Sequence, residues 1–115
     1  KTSQQMLEIL KFVVKEGTGK NAAVEGFDVA GKTGTAQKYI SKTKSYSKTE
    51  FVSSFIGYAP ADTPRLAILV MIDNPKGVHW GSIVAAPVFR EIAKKSLRYL
   101  NVPSSEERVL ILDRA

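Results

Sequence analysis

The chain contains no cysteine, so it can form no disulfide and no thiolate metal site. That absence fits any compartment. No long apolar run is present: the longest, Leu66 to Ile72, has seven residues, far short of the ~20 a membrane helix needs. No signal peptide is visible, although a fragment would have lost one. Paired carboxylates are missing, because Asp62 and Asp73 fall in separate turns. No His, Asp or Glu cluster suggests a metal, and no cofactor is expected. The single histidine, His79, has no sequence partner that would make it a base, and it reads as structural. The net charge is +6, from 17 basic and 11 acidic residues. Yet the lysines form no long block, and no helix interleaves a basic face with aromatics. Nucleic acid is therefore not expected as a partner, whereas an anionic polymer fits the charge.

What remains is enough for one folded unit. The chain has 115 residues, 43% of them apolar, and a chain of this size buries roughly two-thirds of its unfolded surface. Thr2 to Glu16 reads as a helix, with Thr2 and Gln5 at capping-box spacing. Leu7, Leu10 and Val14, with Met6 and Val13, supply its apolar stripe, and Gly17 its C-terminal stop. Phe27 to Lys38 reads as a strand interrupted by glycines, Tyr39 to Glu50 as a polar loop, and Phe51 to Ala59 as the next strand. Leu66 to Ile72 suits a strand buried on both faces, ended by the turn at Asp73-Asn74-Pro75-Lys76-Gly77. Pro87 opens a second helix whose apolar face comprises Val88, Phe89, Ile92, Ala93, Leu97 and Leu100, and Asn101 ends it. Val109 to Leu112 reads as a short strand. The expected fold is α+β: a three-stranded antiparallel sheet covered by two helices. The apolar run of the third strand implies that this sheet belongs to a larger one.

The chemistry concentrates at Lys32-Thr33-Gly34-Thr35, within Val29-Ala30-Gly31-Lys32-Thr33-Gly34-Thr35-Ala36-Gln37. Lys32 offers a cation. Thr33 and Thr35 offer hydroxyl donors suited to a carboxylate. Gly34 removes a side chain that would block close approach of another backbone. The Thr35 N–H can stabilise a developing oxyanion, and the strand edge can pair with an extended peptide. Three residues recur by chance, so the flanks decide. They are Val13-Val14 followed by Gly17-Thr18-Gly19, then Phe51 and Ser54-Phe55-Ile56-Gly57-Tyr58-Ala59-Pro60. Val70-Met71-Ile72-Asp73-Asn74-Pro75 and Ala85-Ala86-Pro87-Val88-Phe89-Arg90-Glu91-Ile92-Ala93 complete the series.

With these blocks in this order, the chain resembles the C-terminal part of the transpeptidase domain of class B penicillin-binding proteins, from about Met6 to Leu100. The K-T-G element at Lys32-Thr33-Gly34 is one of the family's signatures. The resemblance implies the β-lactamase/transpeptidase-like fold, incomplete here, with residues 1–115 as its C-terminal segment. It implies a serine D,D-transpeptidase that cross-links peptidoglycan through an acyl-enzyme and is acylated by β-lactams. Lys32 would join the hydrogen-bond network of the S-x-N serine. Thr33 and Thr35 would hold the carboxylate of a D-Ala-D-Ala stem or of a β-lactam, with Gly34 leaving room. The Thr35 N–H would be one oxyanion donor. The implied partners are the stem peptide, β-lactams, the missing upstream part of the domain, and divisome or elongasome proteins. The implied location is the outer face of the bacterial cytoplasmic membrane, held by an anchor that this chain lacks.

The family's other two elements are not expected here. Ser41-Lys42-Thr43-Lys44 and Ser45-Tyr46-Ser47-Lys48 both fit S-x-x-K, but the family's motif opens a helix, where residues three apart share a face, and lies far upstream. Ser53 and Ser54 lack the x-Asn partner. This chain alone is therefore expected to be inactive, with no nucleophile, and to associate through exposed apolar surface. Lys38, Lys42, Lys44 and Lys48, with Tyr39 and Tyr46, fit either a solvated loop or a positive entrance that attracts acidic stem peptides. Two other functions share the residues. One is a β-lactamase or β-lactam sensor, which differs in deacylation. The other is a non-catalytic module that binds peptide or a partner.

Overall fold

The computed structural model describes residues 1–115. The first helix, α1, spans Thr2–Lys15. Its N-cap is Lys1, without a side-chain cap. Thr2 already lies inside the first turn, so the capping box expected from Thr2 and Gln5 does not form. At the other end, the N–H groups of Gly17 and Gly19 both donate to the Val13 carbonyl, each at 3.0 Å. A Cβ on Gly17 would stand 2.9 Å from that oxygen, which is why the helix stop is glycine. Lys11 joins α1 to the sheet, with Asp28 and Asp62 each at 3.3 Å. Burial works against its charge, but the two carboxylates outweigh burial and hold its pKa above the ordinary value.

Three strands follow: β1 (Ala30–Ile40), β2 (Ser45–Ala59) and β3 (Leu66–Asp73). They pair antiparallel in the order β1-β2-β3, so β1 and β3 are both edges. Thr33 faces Phe55, which in turn faces Val70. Successive side chains point to opposite faces, and this register sorts the sheet. Phe55 and Val70 point into the core, where they meet Phe89, Ala93 and Leu97. The Phe55 and Phe89 rings pack with centroids 4.7 Å apart. Removing such a ring or a leucine from water contributes about 1.5–3 kcal/mol.

Two helices cover the sheet: α1, which packs on β1 and buries Val14 in the core, and α3 (Ala86–Tyr99), which carries Pro87 in its first turn. The buried stripe of α3 is narrower than the sequence implies. Ala86, Phe89, Ala93 and Leu97 are buried, while Val88, Ile92 and Leu100 remain exposed. Asn101, just beyond the Leu100 C-cap, adopts φ +53°, the left-handed stop expected of it. A single helical turn, α2 (Gly81–Val84), precedes α3.

Three further expectations need correction. First, the segment from Tyr39 to Glu50 is not a loop. β1 and β2 run on as a two-stranded ribbon, with Tyr39 opposite Tyr46 and their rings edge to face at 5.6 Å. The register is irregular between Gln37 and Tyr39. There the Ser47 hydroxyl accepts the N–H of Thr49 and of Glu50. Second, β3 is not buried on both faces. Its inward residues pack on the helices, but Leu69 and Met71 lie exposed on the opposite face beside Ile56 of β2. Third, Val109 to Leu112 is helical, inside α4 (Ser105–Asp113). The Ser104 hydroxyl accepts from the Glu107 N–H at 3.3 Å, and the Glu107 carboxylate accepts from the Ser104 N–H at 2.7 Å. This capping box starts a helix where a four-residue apolar run alone suggested a strand.

Candidate active-site wall

Lys32, Thr33, Gly34 and Thr35 lie on β1, an edge strand, and leave one side of its backbone free. Lys32 stands on the face that also carries Ile56, Leu69 and Met71. That face has no cover in this chain, and Ile56, Leu69 and Met71 are each more than half exposed. Thr33 and Thr35 share the other face, at the margin of the helical layer. Lys32 nevertheless reaches Thr33 at the strand's outer edge. The Lys32 ammonium donates to the Thr33 carbonyl at 3.0 Å and approaches the Thr33 hydroxyl oxygen at 3.3 Å. Its polar partners are thus neutral oxygens, which leave its charge uncompensated.

The Thr33 carbonyl, within reach of Lys32, lies on that free edge. In an antiparallel ladder, a residue's N–H and C=O point to the same side, and alternate residues repeat it. The alternation turns the Thr35 N–H to the free edge as well. Gly34 keeps the opposite face low. A Cβ there would stand 2.6 Å from the Ser54 hydroxyl oxygen.

Two segments far away in sequence hold the threonine hydroxyls. The Thr18 hydroxyl lies 3.1 Å from that of Thr33. The Gly81 N–H donates to the Thr35 hydroxyl oxygen, also at 3.1 Å. The segment that delivers Gly81 is itself anchored. The buried Ser53 hydroxyl donates to the His79 carbonyl, and the His79 ring stacks on Phe51 at 3.8 Å, with 5° between planes. His79 is therefore a structural residue, as the sequence suggests. Thr18 and Gly81 were not singled out there as site residues. Each contact spans many residues, and no local pattern carries it. Gly81 does carry a trace of its role, because a Cβ would stand 2.6 Å from the Gly34 carbonyl oxygen.

The two S-x-x-K look-alikes lack helical geometry. Ser41 to Lys44 form the turn of the ribbon, and Ser45 opens β2 with its hydroxyl 2.8 Å from that of Thr43. Of the ribbon lysines, Lys38 pairs with Asp73 at 2.7 Å, a hydrogen bond that raises the lysine's pKa above its ordinary value. A hollow between α3 and α4, lined by Lys94, Arg98, Leu110 and Ile111 among others, includes none of the K-T-G residues. No group of three or more His, Asp or Glu could hold a metal ion, and no helix is long and apolar enough to cross a membrane.

An edge strand with a lysine, two anchored hydroxyls and a bare glycine, beside an uncovered apolar sheet face, fits a wall of a cleft rather than a whole one. The family profile of the penicillin binding protein transpeptidase domain matches residues 1–94. The chain belongs to that family. Over 109 residues it is 48% identical to stage V sporulation protein D of Bacillus subtilis, covering 94% of this chain and 17% of the relative. Over 103 residues it is 42% identical to the probable peptidoglycan D,D-transpeptidase PenA of Neisseria flavescens, covering 88% of this chain and 25% of the relative. The chain thus spans a quarter or less of these relatives. Among solved structures, it matches the transpeptidase domain of Burkholderia pseudomallei penicillin-binding protein 3 with TM-score 0.75 and 42% identity, covering 86% of this chain and 30% of that one. It also matches penicillin-binding protein 3 of Mycobacterium tuberculosis complexed with ampicillin, with TM-score 0.79 and 36% identity, covering 90% of this chain and 25% of that one. These likenesses bear out the α+β fold and the family read from the sequence.

Proposed function

We propose that this chain is the C-terminal segment of a serine D,D-transpeptidase domain and forms the K-T-G wall of its active site. In the intact enzyme, a serine carried elsewhere attacks the carbonyl of a D-Ala-D-Ala stem. The terminal D-Ala leaves, and an amine from a neighbouring stem resolves the acyl-enzyme. A β-lactam enters the same site, and its ring opens on the same serine. Lys32 supplies positive charge and proton handling next to the S-x-N serine. Thr33 and Thr35 hold the ligand's carboxylate, Gly34 admits its backbone, and the Thr35 N–H donates to the oxyanion. The protein works on the outer face of the cytoplasmic membrane, anchored by a segment outside this chain, with division or elongation proteins as partners.

The observation that carries this reading is the Lys32 ammonium at the free edge of β1, in contact with Thr33 and three residues before the Thr35 amide, which turns to the same edge. The relatives' transpeptidase names and the ampicillin complex favour a transpeptidase over a β-lactamase. The test is Lys32→Ala in the longer protein that carries this segment. Loss of proton handling lowers acylation by ampicillin by roughly 10²–10⁴-fold, with the thermal transition unchanged. Acylation at the original rate would refute the role of Lys32.

A further inference from the structure

We infer that Thr18 is a positioning residue that holds the Thr33 hydroxyl as a donor toward a ligand carboxylate, with the Gly81 N–H serving Thr35 in the same way. This rests on the reading of the K-T-G strand as a carboxylate site.

A hydroxyl has one hydrogen to give and two lone pairs to receive. At Thr35, the Gly81 N–H fills one lone pair at 3.1 Å. An amide can only donate, so the Thr35 hydrogen cannot point back at it and stays free for a ligand. At Thr33, the Lys32 ammonium occupies one lone pair from 3.3 Å. The Thr18 hydroxyl, 3.1 Å away, is the remaining neighbour. When Thr18 donates, both lone pairs of Thr33 are filled, and its only hydrogen points outward. The two threonines then present two O–H donors from one face of the strand. Such a pair suits an anion, which accepts from both. It suits a neutral ester less, because hydrogen bonds to charged groups are stronger.

Thr18 can do this because its loop is pinned. Gly17 and Gly19, on either side of it, both bond the Val13 carbonyl at 3.0 Å. Cβ atoms at these glycines would stand 2.9 and 3.2 Å from that oxygen. The turn therefore sits tight on the end of α1, and Thr18 is presented to β1 at a fixed height. Thr18 itself is exposed, so its hydroxyl is not there to satisfy the core.

The test compares acylation of the longer transpeptidase by ampicillin and by an ampicillin ester whose carboxylate is masked. The readout is the ratio of the two second-order rates. Thr18→Val keeps the shape and removes the hydroxyl. It lowers the ratio about tenfold, the worth of one oriented hydrogen bond to a charge. Thr18→Ser restores the ratio. An equal fall of both rates would make Thr18 merely structural, and an unchanged ratio would remove it from the site; either result overturns the inference. Thr33→Val and Thr35→Val separate the two levels. If the ratio survives both, the carboxylate role of the K-T-G strand fails, and the role of Thr18 with it. If the ratio falls in these variants but not in Thr18→Val, only the inference about Thr18 fails.

Discussion

The Gly81 N–H and the Thr35 hydroxyl oxygen meet at 3.1 Å, although 46 residues separate them in sequence. The contact joins the start of α2 to the K-T-G strand. It exists because position 81 has no side chain. A Cβ there would stand 2.5 Å from the Ser54 carbonyl oxygen and 2.6 Å from that of Gly34. Both are backbone atoms, so neither can swing aside.

Gly81→Ala must therefore push α2 off the sheet. Overpacking of this kind costs about 1–3 kcal/mol, and Thr35 loses its amide donor. Gly34→Ala makes a useful contrast. Its nearest clash, at 2.6 Å, is the Ser54 hydroxyl, which can rotate away. The expected change in stability is within about 1 kcal/mol. Thermal melts of the two variants check the order. A Gly34→Ala variant less stable than Gly81→Ala would contradict it.

Ile56, Leu69 and Met71 form an exposed apolar patch on the sheet face that also carries Lys32. Monomeric proteins rarely expose a broad apolar patch without a partner for it. The chain by itself is expected to self-associate. Replacing all three residues with threonine, a good strand former, yields a species that sediments as a monomer. A monomeric parent chain at high concentration would contradict this.

The start of α4 depends on pH. The Ser104 backbone N–H, then the Ser104 hydroxyl, hold the Glu107 pKa below its ordinary 4.5. A lowered carboxylate pKa stabilises the fold above the unfolded value, and the contribution fades as pH falls through the folded one. The carboxylate half of the capping box is thus strongest at neutral pH and weakens in acid, while the bond from the Glu107 N–H to the Ser104 hydroxyl carries no titrating group. The Ser104 amide shift, followed by NMR, titrates with a midpoint below 4.5, and Glu107→Gln abolishes that titration. Ser104→Ala weakens the helix by about 1 kcal/mol. A midpoint at or above 4.5 would contradict the assignment.

Much of this molecule was legible because its signals are local. Gly17 after an apolar stripe, Pro87 opening a helix and Asn101 closing it all act within a turn of their own position. The Ser104–Glu107 box was equally local, but the apolar run from Val109 to Leu112 drew the reading toward a strand. The ribbon from Tyr39 to Ser45 was hidden because its residues are polar and its turn uses Lys44 at φ +49° instead of glycine. The open face of β3 could not be read, because the run from Leu66 to Ile72 looks the same whether its outer side is covered by this chain or by another segment. Lys32 to Thr35 stood out as a motif. Thr18 and Gly81 did not, since only the fold brings them to the strand.

The most direct test of the central claim is labelling with a fluorescent penicillin, read on a denaturing gel, for this chain alone and for the longer transpeptidase. Label is expected on the longer protein and none at 12.6 kDa, as follows from the proposal that this chain lends the Lys32–Thr35 wall to a serine carried elsewhere. Label at 12.6 kDa would place a nucleophile in this chain, with Ser41 and Ser45 the first candidates, and would contradict it.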